Sequence, residues 1–135
     1  MAWIFRGKCV VNGIDFVADT NAIIYLLAGN PCMKSFMDKS LGVSVITEME
    51  LLSFPRITEQ EQLVIKELLL NCMISCLDNE IKNQSIYLRR FYKIKLPDAI
   101  VAATAISYNV PLLTADKEFN KIKELNLCLL NPIVN

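Results

Sequence analysis

The sequence contains no histidine. That absence removes Ser-His-Asp and Cys-His nucleophilic catalysis, histidine acid–base nucleases and metal sites built on imidazole. Any chemistry must rest on carboxylates, hydroxyls, amides, lysines or thiols. Net charge is absent as well. The chain has 14 Lys and Arg against 14 Asp and Glu, so no global field draws nucleic acid to it. A polyanion would need a local basic patch or a bound metal. A membrane-spanning run is also missing. Such a run needs about 20 apolar residues, and the longest uncharged stretch, Ala99–Ala115, is shorter and holds Asn109 and Pro111. The N-terminal "MAWIFRGKCVV" lacks signal-peptide order, because Arg6 and Lys8 follow its apolar segment. A soluble, cytoplasmic domain is the expectation, with no membrane partner.

The 5 cysteines, Cys9, Cys32, Cys72, Cys76 and Cys128, have no regular spacing, and four sit in apolar sequence. They read as reduced, buried thiols of a cytosolic protein rather than a disulfide framework. The pair in "CMISC" lacks the second pair or the histidines that a zinc site would need.

What is present in abundance is apolar surface: 53% of 135 residues. One domain of this length buries roughly two-thirds of the surface its unfolded chain exposes. Strand-like and helix-like segments alternate along it. "IDFVA" reads as a buried strand over Ile14–Ala18, and "NAIIYLL" as a helix ended by Gly29-Asn30-Pro31. "KSFMDKS" reads as a short helix and "GVSVIT" as a β-branched strand. "TEMELLSF" reads as a helix opened by Thr47 with Glu50 at capping-box spacing. Thr58 and Glu61 repeat that spacing before an amphipathic helix. "MISCLD" reads as a strand, and "NEIKNQSIYLRRFYKIK" as a helix offering Ile81, Ile86, Leu88 and Phe91 to the core. Pro97 suits the first turn of an Ala-rich helix. "VPLLTAD", "KEFNKIKEL" and "LCLLNP" complete the series as strand, short helix and strand. Alternation of this kind predicts an α/β domain with a mostly parallel central sheet flanked by helices. Residues 1–13 read either as a short strand or turn or as an N-terminal extension.

In open α/β sheets, ligands bind beyond the carboxyl ends of the strands. Asp19 and Asp116 each follow a predicted strand, whereas Asp98 and Glu50 fall near predicted helix starts. Crossover geometry brings those positions to one edge. Each acid also has an ordinary reading: Asp98 as a dipole-favoured helix acid, Glu50 as half of a capping box, and Asp19 and Asp116 as turn formers. Gathered together, four carboxylates repel one another unless a cation lies between them. Oxygen donors of this kind suit Mg²⁺ or Mn²⁺.

The segments "VADTNAIIYLL", "ITEMELL", "LPDAIVAATAI" and "LLTADKEF" resemble, in order and separation, the four acidic motifs of PIN-domain ribonucleases, particularly VapC-type toxins of toxin–antitoxin pairs. The resemblance spans about residues 14–134. It implies a PIN-like three-layer sandwich and an Mg²⁺- or Mn²⁺-dependent endoribonuclease. It implies Asp19, Glu50, Asp98 and Asp116 as the catalytic acids, with Asp19, Asp98 and Asp116 at the metal and Asn21 and Thr114 in support. It also implies an RNA substrate, a small antitoxin partner and a homodimer. A groove near Ile23, Leu26, Leu51 and Phe54 is the place expected for an antitoxin segment. Departures are Ala115, where many relatives carry a basic residue, and Glu118 in place of an aspartate. Glu48 is the fallback for Glu50. "LRRFYKIK" supplies Arg89, Arg90, Lys93 and Lys95 beside Phe91 and Tyr92, which suits single-stranded RNA and equally a solvated helix face. Two other readings stand: a haloacid-dehalogenase-type phosphatase, which wants an aspartate at position 21, and a non-catalytic PIN-like interaction domain.

Overall fold

The computed structural model describes residues 13–134. The reading of residues 1–12 as a strand, turn or extension lies outside them. Five strands form one sheet in the order β3-β2-β1-β4-β5, and every adjacent pair is parallel. They are β1 (Phe16–Ala18), β2 (Leu41–Ser44), β3 (Met73–Ser75), β4 (Leu112–Thr114) and β5 (Leu127–Leu129). The helices are α1 (Thr20–Leu27), α2 (Val45–Leu52), α3 (Glu59–Leu69), α4 (Asn79–Phe91) and α5 (Leu96–Tyr108). Short 3₁₀ turns occupy Pro31–Phe36 and Lys117–Lys121. Among the described residues no helix is long and apolar enough to cross a membrane.

The period-2 alternation of the strands divides the core into two layers. Val17 and Leu112 face α4 and α5, together with Ile81, Leu88 and the alanines of α5. Ala18 and Leu113 face α1, α2 and α3, together with Ile23, Leu51, Ile65 and Leu69. Helix α5 is apolar nearly all round because it lies deep: Ala99, Ala102, Ala103 and Ala105 are fully buried. Its alanines let the helix approach the sheet closely. Asn109 ends it in the left-handed region at φ 56°, a conformation that Asn tolerates better than most residues.

Four local expectations change. The short helix expected over residues 34–40 is instead a 3₁₀ turn over Pro31–Phe36. Strand β2 ends at Ser44, and the β-branched Val45 and Ile46 enter helix α2. Ser44 Oγ accepts from the Ile46 N–H at 3.1 Å, so Ser44 is the cap and Thr47 lies inside the helix. Tertiary packing overrides the strand propensity of Val and Ile here. Helix α4 stops at Phe91, because Tyr92 turns extended. Its buried stripe is Ile81, Ser85 and Leu88, at i, i+4 and i+7. Ile86 and Phe91 fall off that stripe and are exposed. The described cysteines are less buried than their neighbours suggest: Cys32, Cys72 and Cys128 are half-buried and Cys76 is exposed, all as free thiols, while Cys9 lies outside the described residues. Burial still pushes the Cys72 thiol up to about 11.

The capping box of α3 is as expected. Thr58 Oγ1 accepts from the Glu61 N–H at 3.0 Å, and Glu61 Oε1 accepts from the Thr58 N–H at 2.9 Å. Ser44→Ala and Thr58→Ala should each destabilise the fold by about 1 kcal/mol in urea unfolding, the usual loss of a side-chain cap. Thr47 is inside α2, so substituting it should leave the α2 cap intact; parallel amide-exchange measurements on α2 would check this.

Candidate active site

Strand β1 is the point where the sheet order reverses, with β2 on one side and β4 on the other. A crevice is expected beyond the carboxyl ends at such a point. Register places Ala18 beside Leu113, and the Asp19 N–H donates to the Leu113 carbonyl at 3.2 Å. Asp19 is therefore fastened to the end of β4, next to Thr114.

Asp19 is 8% exposed. Its Oδ1 accepts from the Ala22 N–H at 2.8 Å, capping α1. Its Oδ2 accepts from the Thr114 hydroxyl. Thr114 Oγ1 in turn accepts from the Asp116 N–H at 3.0 Å. One threonine thus connects two acids of the set. The Asp116 carboxylate accepts from the Glu118 N–H at 2.9 Å and stands exposed at the edge.

Asp98 lies in the first turn of α5, half-buried, and the N-terminus of α5 opens onto the same edge. Glu50 reaches it from α2. Its Oε1 accepts from the Thr20 hydroxyl, and Thr20 Oγ1 also lies 3.3 Å from Thr47 Oγ1. Thr20 and Thr47 were not singled out as site residues. A pairing across 30 positions leaves no local signal in the sequence. Glu48, the fallback acid, lines a separate cleft with Leu63, Lys66 and Leu70 of the α3 region. Asn21 is exposed in the first turn of α1 and makes no hydrogen bond to the acids among the described residues. Glu118 is ion-paired with Lys121 at 3.0 Å.

The acids feel one another. Burial pushes the Asp19 carboxyl above its ordinary 3.8; the Thr114 and Ala22 hydrogen bonds oppose this, and the charges of Asp116 and Asp98 add to it. Burial likewise raises Asp98, followed by the charges of Asp116 and Glu50, with Lys95 opposing. The bonds that favour the anion at Asp19 are outweighed by desolvation. Among the described residues none of the four acids makes an ion pair.

The donor set is all carboxylate oxygen, which fits a hard divalent cation. Among the described residues no group of three or more His, Cys, Asp or Glu stands ready to hold a metal ion unaided. Mg²⁺ commonly keeps several waters and binds through one or two carboxylates plus substrate phosphates.

The PIN domain family matches residues 16–125. No curated protein matches the chain. Among solved structures, a toxin–antitoxin complex from Klebsiella pneumoniae has a chain 31% identical, covering 82% of this chain and 95% of its own, at TM-score 0.72. VapBC-1 from nontypeable Haemophilus influenzae is 25% identical, covering 86% and 98%, at TM-score 0.76. VapBC2 from Rickettsia felis bound to a promoter DNA fragment shares the fold at TM-score 0.77, with 20% identity over 87% and 100%. The family match begins in the first strand and runs past every acid described above, and the chain belongs to the PIN domain family.

Proposed function

We propose that the chain is a metal-dependent endoribonuclease and the toxin of a toxin–antitoxin pair. The observation that supports this most is the mutual repulsion of Asp19, Asp98, Asp116 and Glu50 at a crevice where, among the described residues, no basic side chain forms an ion pair with them. Asp19, Asp98 and Asp116 would hold Mg²⁺ or Mn²⁺. Bound there, the cation supplies Lewis acidity at the phosphate and lowers the pKa of a water. Thr114 fixes the Asp19 rotamer, so that carboxylate need not reorganise when a cation arrives. Thr20 orients Glu50 through Oε1 and leaves Oε2 to take a proton from the attacking water. The water oxygen bonds to phosphorus, the bond to the leaving oxygen breaks, and that oxygen takes a proton from solvent. No step needs histidine. Family membership removes the phosphatase reading, and position 21 holds Asn in any case. The non-catalytic reading is decided by the assay below.

The antitoxin reading has a surface to rest on. A cleft of about 680 Å³ opens between α1, α2 and α3, lined by Ile24, Leu27, Leu51, Phe54, Val64 and Ile65 among others. The groove is one residue round α1 from the expected position: Ile23 is fully buried in the sheet-facing core, and Ile24 and Leu27 line the cleft instead. An apolar groove flanked by helices suits an amphipathic helical segment. The solved relative from Klebsiella pneumoniae is itself described as a toxin–antitoxin complex.

Antitoxin-free protein should cleave single-stranded RNA with Mg²⁺ or Mn²⁺ and stop in EDTA. Persistence in EDTA would sink the metal mechanism, and inactivity under every metal condition would favour the interaction domain. Asp98→Asn should lose nearly all cleavage and most thermal stabilisation by Mn²⁺. Glu50→Gln should lose activity, and Glu48→Gln should keep it.

Metal-free Asp98→Asn should also melt no lower than the parent at pH 7. The sign follows from linkage. A carboxyl whose folded pKa is raised binds its proton more tightly when folded, so its ionised form disfavours the fold above that pKa. The disadvantage fades as pH falls through the raised value towards the ordinary 3.8. The melting-temperature gap between variant and parent should therefore close on acidification. A gap that widens towards low pH would return Asp98 to a purely structural role.

In the groove, Phe54→Asp and Val64→Asp replace exposed residues with charges. Each should weaken binding of the product of the adjacent reading frame about tenfold or more in calorimetry, the scale expected when a charge is buried without a partner. Unchanged affinity in both would place the antitoxin elsewhere.

A further inference from the structure

The acids leave one feature beside them unexplained. The connection between α4 and α5 forms a cleft of about 410 Å³ lined by Arg89, Tyr92, Lys93, Ile94 and Lys95. Its backbone is pinned from several sides. Arg89 Nη1 donates to the Ile94 carbonyl at 3.1 Å, and Lys121 Nζ donates to the Lys93 carbonyl. The Tyr92 hydroxyl donates to Glu124 Oε1 at 2.6 Å. Its charges, by contrast, are unneutralised: among the described residues Arg89, Lys93 and Lys95 form no ion pair. The walls are fixed and the cations are available.

Lys95 ties this cleft to the acids. It is the N-cap residue of α5 and makes no side-chain cap, and Asp98 lies within the first turn that follows. Ser, Thr, Asp or Asn would cap that helix, and a cation there opposes the helix dipole. A position that breaks the local rule in this way is where a functional demand is expected. The demand is electrostatic. Carboxylates that gather a cation also repel the strand carrying the scissile phosphate, and a chain with zero formal net charge has no global field to offset this.

We propose that Arg89, Lys93 and Lys95 form a subsite for RNA backbone phosphates flanking the bond cleaved at Asp19, Asp98 and Asp116. The inference rests on the endoribonuclease reading and adds to it where the strand runs. Tyr92 also lines the cleft, with its hydroxyl engaged by Glu124 and its side chain packed against the core. The subsite also sorts the basic-aromatic run of the sequence. Arg90 and Phe91 do not line the cleft, and Phe91 instead packs on Tyr87 with ring centroids 4.7 Å apart on the exposed side of α4. An acidic peptide is a poorer occupant, because its charges would meet Asp98 with no reaction to bring them there.

The test uses the full chain carrying Asp98→Asn, with Mg²⁺ present. Fluorescence anisotropy reads its affinity for a labelled single-stranded RNA across a KCl series. Each phosphate contact to a single strand contributes about 0.7 to the slope of log affinity against log salt. Adding Arg89→Gln, Lys93→Gln and Lys95→Gln should lower that slope by about two and weaken binding about tenfold or more. Arg90→Gln, equal in charge change per residue but outside the cleft, should leave the slope unaltered. Lys93→Arg with Lys95→Arg should retain binding, which separates charge from folding damage. In the active chain the triple variant should raise KM with kcat nearly unchanged. RNA binding by the Asp98→Asn chain that the triple variant leaves intact, or that Arg90→Gln reduces as much as each cleft substitution does, overturns the subsite alone. Failure of that chain and of the parent to bind RNA overturns the endoribonuclease reading and the subsite with it. Loss of the adjacent-frame protein without loss of RNA would make the cleft a protein contact and overturn the proposal too.

Discussion

The hydrogen bond from Thr114 to Asp19 is the constraint on which the site depends. It spans the ends of two parallel strands, β1 and β4, that are 95 residues apart in sequence. A carboxylate as buried as Asp19 is unfavourable unless its oxygens are satisfied. Here one oxygen is satisfied by the first turn of α1 and the other by the neighbouring strand. The same threonine accepts from the Asp116 N–H, so the turn leaving β4 is set by the group that holds Asp19. Moving β4 by one residue would put Leu113 where Thr114 belongs and leave Asp19 without its partner. Sheet register and acid geometry are therefore one requirement.

The ordinary readings hold for three of the acids and do not compete with the functional one: Asp98 lies in the first turn of α5, whereas Glu50 forms no capping box with Thr47 because Ser44 is the cap. Asp19 caps α1, and Asp116 accepts from the Glu118 N–H at the start of a 3₁₀ turn. A cap engages one lone pair of a carboxylate oxygen and leaves others available. It also fixes the rotamer. The burial of Asp19 shows which effect dominates. Its two hydrogen bonds and the helix dipole favour the anion, yet its carboxyl still lies above the ordinary range. Desolvation penalises the anion, and a cation in the crevice would offset that penalty only where its attraction exceeds the cost of burying both charges.

Much of this was legible in the sequence, and the exceptions have a common cause. Alternating strands and helices follow from apolar runs bounded by Gly, Pro and cap residues. A parallel sheet then fixes which ends share an edge, so Asp19, Asp98 and Asp116 could be placed together from spacing alone. The capping box at Thr58 was visible because both partners lie within one turn. The choice of Ser44 over Thr47 was not, because Val45 and Ile46 have strand propensity and enter α2 only under tertiary packing. The Thr20–Glu50 bond joins two helices, and the burial of Ser85 instead of Ile86 depends on where α5 lies. Those are contacts between elements, and a period counted along one segment does not contain them. The same is true of the cleft beside α1, which Ile24 and Leu27 line where Ile23 and Leu26 were expected, a rotation of about 100°, while Leu51 and Phe54 line it as expected.

Charge is arranged here by position rather than by amount. Positive and negative side chains are equal in number, but the acids concentrate beyond β1 and β4 while Arg89, Lys93 and Lys95 line the loop that enters α5. Lys95 and Asp98 share one helical turn, so the boundary between the two signs runs through the N-terminus of α5 itself. Lys95 already moderates the rise in the Asp98 pKa that burial, Asp116 and Glu50 produce. A more distant lysine would be screened within a Debye length of about 8 Å at physiological salt, whereas one in the same turn acts on Asp98 at close range. Helix α5 is also the most deeply buried helix, which gives its first turn a fixed place against the sheet. The backbone of that turn is thus held against the same sheet as Asp19 and Thr114 by the packing of the alanines behind it.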